Sequence, residues 1–242
     1  MKKHQTRKAA PGKGRIVIAK DGPYRVSGGL PLDKVIARIG RDGEPEKWVQ
    51  GELFPARENY SLCRCGRSKG KPFCDNSHVQ VKFDGTETAS RETHAEQSLK
   101  IEGPGINLRD AVALCSEARF CHPEGGTWHL VLESDDPANK RSAIRQTCDC
   151  PSGRLLAVEK STGAPIEPAF PPSLSLVEDP QKGVSGPIWV KGGVPIESED
   201  GQAHEVRNRV TLCRCGESDN KPFCVGNHIR ARFNDGDGSL KK

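Results

Sequence analysis

The chain has 242 residues, only 34 % apolar and 5 % aromatic, so its core is thin for its length and support from a metal or disulfides is expected. Gly (26) and Pro (18) favour turns and short strands over long helices, which predicts an α+β, strand-rich fold. The net charge of +5 is mild, aromatics are not interleaved with the basic residues, and no apolar run nears the ~20 residues that span a bilayer, so neither nucleic acid nor a membrane is an expected partner.

Ten cysteines with no secretory leader predict a reducing, cytoplasmic setting, where clustered cysteines serve as metal ligands more often than as disulfides. Residues 1–20 carry Lys2, Lys3, Arg7, Lys8, Lys13, Arg15 and Lys20 and read as a basic flexible tail. A first module is expected over residues 21–90. Its opening, Gly22 to Leu32, alternates apolar residues around Gly28-Gly29 and predicts short strands joined by a tight turn. Extra residues around Glu44–Gly51 precede its cysteines.

Residues 61–78 then read SLCRCGRSKGKPFCDNSH. In an extended segment Cys63 and Cys65 point the same way and can share a metal ion. Cys74 and His78 lie one helical turn apart and can share a second ion or complete the shell of the first. Asp75 is placed to cap that turn, Pro72 stiffens its entry, and Gly66 permits the bend after the first pair.

The pattern changes over residues 100–160, where a separate middle α+β segment is expected. Asn107–Arg119 is predicted helical, with Asn107 as its N-cap; Thr127–Glu133 is predicted to be a strand. Asp136-Pro137 marks a helix start, running to about Thr147. Cys115, Cys121, Cys148 and Cys150 make a candidate third metal site, the plain alternative being buried reduced thiols. His94, His129 and His204 lack ligand spacing, and His122 reads as a loop residue. A proline-rich connector is expected over 161–185.

The second module, 186–235, repeats the first. Residues 211–228 read TLCRCGESDNKPFCVGNH, so Cys213, Cys215, Cys224 and His228 recur at the spacing of the first set without a gap. Upstream, Gly186 to Ile196 resembles Gly22 to Leu32. Lys71 and Lys221, each just before the shared proline, could face a cluster, a partner or solvent. Three thiolates and an imidazole also suit structural zinc, and spacing by itself only slightly favours iron–sulfur.

The shared pattern C-x-C-x2-S-x3-P-x-C-x3-H resembles the CDGSH-type (mitoNEET-like) iron–sulfur family. That resemblance implies two [2Fe–2S] clusters. Cys63 and Cys65 would bind one iron and Cys74 and His78 the other; Cys213 and Cys215 would pair likewise against Cys224 and His228. It also implies strand-swapped β-caps, here made within one chain as an intramolecular pseudo-dimer, with the protein a monomer. Two positions depart from the pattern: Asn76 stands where glycine is usual, and Val225 where aspartate is usual. Val225 removes the expected cap and predicts a less secure His228. Cys150-Pro151, with the pair Cys115 and Cys121, resembles divergent ferredoxin-like domains and implies a third iron–sulfur cluster. The expected role is electron transfer or cluster transfer to a redox partner or apo-protein acceptor, not enzymatic. The alternative is a structural zinc protein. A substrate-processing oxidoreductase finds no dinucleotide fingerprint, phosphate loop or nucleophile elbow in support.

Overall fold

The structure, a computed structural model, describes residues 14–240. The first repeat runs through β1 (Arg15–Ile18), β2 (Tyr24–Ser27), β3 (Leu32–Ile39), β4 (Pro45–Leu53) and β5 (Asn59–Leu62), then a ligand loop and the single turn α1 (Ser77–Gln80). After α2 (His94–Gln97), the middle segment contains β6 (Leu99–Glu102), β7 (Asn107–Asp110), α3 (Thr127–Leu132), α4 (Pro137–Asp149), β8 (Leu155–Val158) and β9 (Pro165–Ile166). The second repeat follows as β10 (Ser173–Asp179), β11 (Val184–Lys191), β12 (Ile196–Ser198) and β13 (Arg209–Leu212), a second ligand loop and α5 (Asn227–Arg230). The strand-rich α+β class is as expected.

Among the described residues three sheets result, in the orders β12-β1-β2-β5, β13-β11-β10-β3-β4 and β6-β7-β8-β9. Gly28-Gly29 and Gly192-Gly193 do not close hairpins. All four glycines have positive φ, and the chain uses them to leave one sheet for the other. β3 leaves the first repeat and lies parallel to β10, with Leu32 opposite Leu174; β12 leaves the second and lies parallel to β1, with Ile16 opposite Ile196. Each repeat therefore lends its third strand to the other. One core draws on both sheets: Ile16, Ile18, Tyr24, Val26 and Leu62 pack with Leu174, Leu176, Ile188, Val190 and Leu212. The extra residues of the first repeat form β4, an added edge strand antiparallel to β3.

Three further expectations are corrected. Of the basic tail, residues 1–13 lie outside the described residues, but Arg15–Ile18 is a strand whose Ile16 and Ile18 are buried in the shared core. The connector ends early, because Ser173–Asp179 is a central strand with all but its first residue buried. In the middle segment the two periodicities are exchanged. Asn107–Asp110 is a strand between β6 and β8, with Leu108 and Asp110 inward. Thr127–Leu132 is a helix, burying Thr127, Leu130 and Val131 at helical spacing. α4 starts where expected, with Asp136 accepting from the N–H groups of Ala138 and Asn139, and runs on to Asp149. The middle segment has its own core of Ile106, Leu108, Leu130, Val131, Ala143, Leu155 and Ala157.

Candidate metal centres

Each ligand loop is folded back on the strand that feeds it. Cys63 N–H donates to the Pro72 carbonyl and Cys74 N–H to that of Ser61, so Phe73 bridges to Leu62; Cys213, Pro222, Cys224 and Thr211 repeat the bonds, at 2.8 and 2.9 Å in both loops. Inside the loop the Ser68 hydroxyl donates to the Phe73 carbonyl and accepts from Gly70 N–H, while Lys71 Nζ holds the Ser68 carbonyl. Ser218, Phe223, Asn220 and Lys221 do the same. The two lysines thus brace their loops.

The fold brings the donors together in pairs. Cys63 Sγ lies 3.8 Å from Cys65 Sγ, and Cys74 Sγ lies 3.5 Å from His78 Nδ1. In the second loop the corresponding separations are 3.6 and 3.4 Å. A tetrahedral centre with metal–thiolate bonds of about 2.3 Å and metal–imidazole bonds of about 2.0–2.1 Å puts two sulfurs about 3.8 Å apart, and a sulfur and a nitrogen about 3.6 Å apart. Each pair spans one edge of such a centre. Among the described residues no three His, Cys, Asp or Glu groups converge to hold one ion. The donor set fits two metal atoms per loop, two donors on each.

The two loops differ in depth. Cys74 and His78 are half-buried, whereas Cys224 and His228 are 2 % and 4 % exposed. Burial and the Arg214 charge push His228 down to about 4, so its ring is neutral and free to ligate near neutral pH. The first cysteine of each CxC is held at about 6 by a hydrogen bond from the second, and the second is pushed far up. One proton therefore leaves each pair readily, and removing the other needs a metal's positive charge.

The residues between the paired cysteines were missed in the sequence, although arginine stands there in both repeats. Arg214 is buried, donating to the Gly186 and Val177 carbonyls and paired with Glu178 at 2.6 Å and with Asp235. Arg64 donates to the Ala19 and Gly85 carbonyls and lies over the rings of Tyr24 and Phe83. Tyr24 was missed too: its hydroxyl crosses to the second loop, donating to Cys213 O at 2.8 Å.

At the tip of each helical turn the departures from the expected pattern find their account. Asn76 takes a left-handed conformation (φ 67), which asparagine tolerates, and Gly226 takes the same place in the second loop (φ 84). Asp75, one residue earlier, accepts from Ser77 N–H, Ser77 Oγ and Lys69 N–H. Val225 cannot, but Asn227 bridges to the Glu217 carbonyl and Asp219 instead. His228 is the more enclosed histidine, contrary to the expectation that loss of the cap would loosen it.

Residues 21–79 and 185–229 match a family model described as iron-binding zinc finger, CDGSH type. Both ligand loops are CDGSH loops. Residues 101–160, between them, match a model described as a divergent 4Fe-4S mono-cluster. No curated protein and no solved structure matches the chain. The protein is therefore an iron–sulfur protein of tandem CDGSH organisation.

The two CDGSH loops stand back to back. A Cβ on Gly216 would lie 2.7 Å from the Cys65 carbonyl oxygen, and one on Gly66 would overlap that of Cys215. The middle segment reaches the second CDGSH loop from the other side, where Glu117 packs on Gly226 so closely that a Cβ there would overlap it. Of the four middle cysteines, Cys115, Cys121 and Cys150 line one pocket; Cys148 is not among its lining residues, and its sulfur faces the Ile166 carbonyl at 3.9 Å. Burial raises the Cys115 thiol and pushes Cys121 up to about 12. The remaining histidines among the described residues are occupied: His94 with the Arg154 carbonyl, His204 with Glu87, His129 with Glu133 and His122 with Glu44.

Proposed function

We propose that each CDGSH loop holds a [2Fe–2S] cluster and that the chain is an electron carrier, not an enzyme. Cys63 with Cys65, and Cys213 with Cys215, take one iron of each cluster; Cys74 with His78, and Cys224 with His228, take the other. The pairwise spacing of the donors carries this reading. A structural zinc ion needs its donors gathered around one point, and the described residues offer no such group. Bound there, the clusters supply one-electron chemistry at a potential raised by one imidazole in place of a thiolate. The chain's own residues set the two sites against each other through Gly66 and Gly216, enclose the second, and leave the first within reach of a redox partner. The exchange of β3 and β12 supports an intramolecular pseudo-dimer, complete as a monomer. Ten unpaired cysteines fit a reducing compartment, and among the described residues no helix is long and apolar enough to cross a membrane.

Protein purified without air is expected to be red-brown and to contain acid-labile sulfide, with His78→Cys and His228→Cys each shifting its own component of the visible spectrum. Zinc without sulfide overturns the assignment.

The half-exposed first loop also supports a second reading, in which that cluster is handed to an apo-protein. A chelator is then expected to strip iron from the first loop roughly tenfold or more faster than from the second, since release from the second requires local opening. The two His→Cys spectra distinguish the loops, and equal rates would remove the basis for an exposed donor site.

A further inference from the structure

Bacterial ferredoxin motifs place cysteines at every third position, C-x2-C-x2-C, and add a distant cysteine followed by proline. The middle segment keeps this frame with one exception. Cys115 and Cys121 stand six apart, Cys150-Pro151 supplies the distant member, and the position midway between the first two is Ala118. The structure brings these residues together. The backbone from 115 to 121 curls tightly, with Glu117 and Arg119 in left-handed conformations (φ 59 and 63), and Cys115, Ala118, Cys121 and Cys150 line the same pocket. Each thiolate of a cuboidal cluster caps a different iron, so such ligands surround the pocket rather than meet at one ion. Ala118 therefore lines the pocket at the sequence position where this frame would supply the fourth thiolate.

Cys148 does not fill the gap. It lies in α4, with its sulfur toward the Ile166 carbonyl, and Arg209 fixes the surrounding backbone by donating to the carbonyls of Thr147, Cys148 and Cys150. Two arginines line the pocket: Arg119, which is paired with Asp179 and Gln181, and Arg154. Arg154 is held by both oxygens of Asp110, at 2.6 and 3.0 Å, and lines the same cavity, where it offsets anionic thiolates.

We propose that the middle segment binds a [3Fe–4S] cluster through Cys115, Cys121 and Cys150 alone, the corner facing Ala118 having no protein thiolate and no iron. This departs from the four-iron cluster named by the matching family description, and from the expectation that Cys148 completes the set. It rests on the CDGSH reading only for the total iron content. Because Glu117 links this loop to the second CDGSH loop, the cluster sits beside the more deeply buried of the two paired centres.

Electron paramagnetic resonance of the full chain, purified and then mildly oxidised, tests this directly. An oxidised three-iron cluster has an unpaired spin, whereas oxidised [2Fe–2S] and [4Fe–4S] clusters have none. The expected result is one such signal, with about seven irons per chain if both CDGSH loops are filled. Ala118→Cys supplies the missing thiolate, so the signal should vanish and iron should rise by about one per chain. Cys148→Ser should leave the signal unchanged. A spin-silent oxidised protein, or loss of the middle cluster in Cys148→Ser, overturns the proposal. Since the signal does not depend on the CDGSH loops, their failure to hold [2Fe–2S] would appear separately, as missing iron beneath an intact signal.

Discussion

Gly66→Ala is expected to lower the iron content of both CDGSH loops, although it alters only one. At φ +74 a side chain costs about 1–2 kcal/mol through backbone strain alone. The larger cost is the collision. The added carbon falls on the carbonyl of Cys215, a main-chain atom next to two proposed ligands, and no flexible side chain is there to yield. Relief requires the CxC turns to separate, and both are pinned by their own backbone hydrogen bonds. Gly43→Ala is the control: its φ is also positive, at 83, but its Cβ meets nothing within 4 Å, so it should cost about 1 kcal/mol and no iron. Iron per chain and the visible spectrum report the outcome. A Gly66→Ala protein with its second loop fully loaded would show that the two turns do not constrain each other.

Arg214→Met should be the most destabilising single change near the second centre. It leaves Glu178 and Asp235 buried without their cation, a loss of about 3–5 kcal/mol for a broken buried pair. Arg64→Met is its internal comparison, because Arg64 has only carbonyl partners and rings beside it; about 1–3 kcal/mol is expected there. The pH dependence separates charge from packing. Burial already raises the Glu178 carboxyl despite Arg214, and removing the arginine raises it further. A carboxyl with a folded-state pKa above its unfolded value favours the fold at low pH, and that contribution is lost as pH rises through the folded value. The Arg214→Met deficit should therefore be smaller near pH 5 than near pH 8 in urea unfolding, and that of Arg64→Met nearly constant. Equal deficits at both pH values would mean that Glu178 is not left as an uncompensated charge.

The proposed ligands were legible because metal chemistry sets such donors at short range: two residues apart on a strand, four apart on a turn, repeated twice. What supports them was hidden by distance. Glu178 and Asp235 meet Arg214 only after the chain has folded, so nothing local marked the arginine between the two cysteines. The destination of β3 and β12 was equally obscure, since a Gly-Gly step looks the same whether it closes a hairpin or passes a strand to a neighbour. The reversed elements of the middle segment have local causes. Asp110, three residues after Asn107, fitted a helix start, but Arg154 and Trp128 bind it from within, which hid the alternation of β7. In α3 the eye follows Trp128, Leu130 and Leu132, while the buried set is Thr127, Leu130 and Val131, and Leu132 is mostly exposed. The strand at Ile16 and Ile18 was overlooked because lysines and arginines surround it.

The exchange of strands also imposes an order on biosynthesis. β1 emerges from the ribosome well before its parallel neighbour β12, which belongs to the second repeat. Until then the leading sheet has an open margin, and the nascent polypeptide must keep it from pairing with other chains. The middle segment has a core of its own and can fold meanwhile. The first CDGSH loop is thus translated before the second, but its β-sheet is completed only when the second repeat arrives.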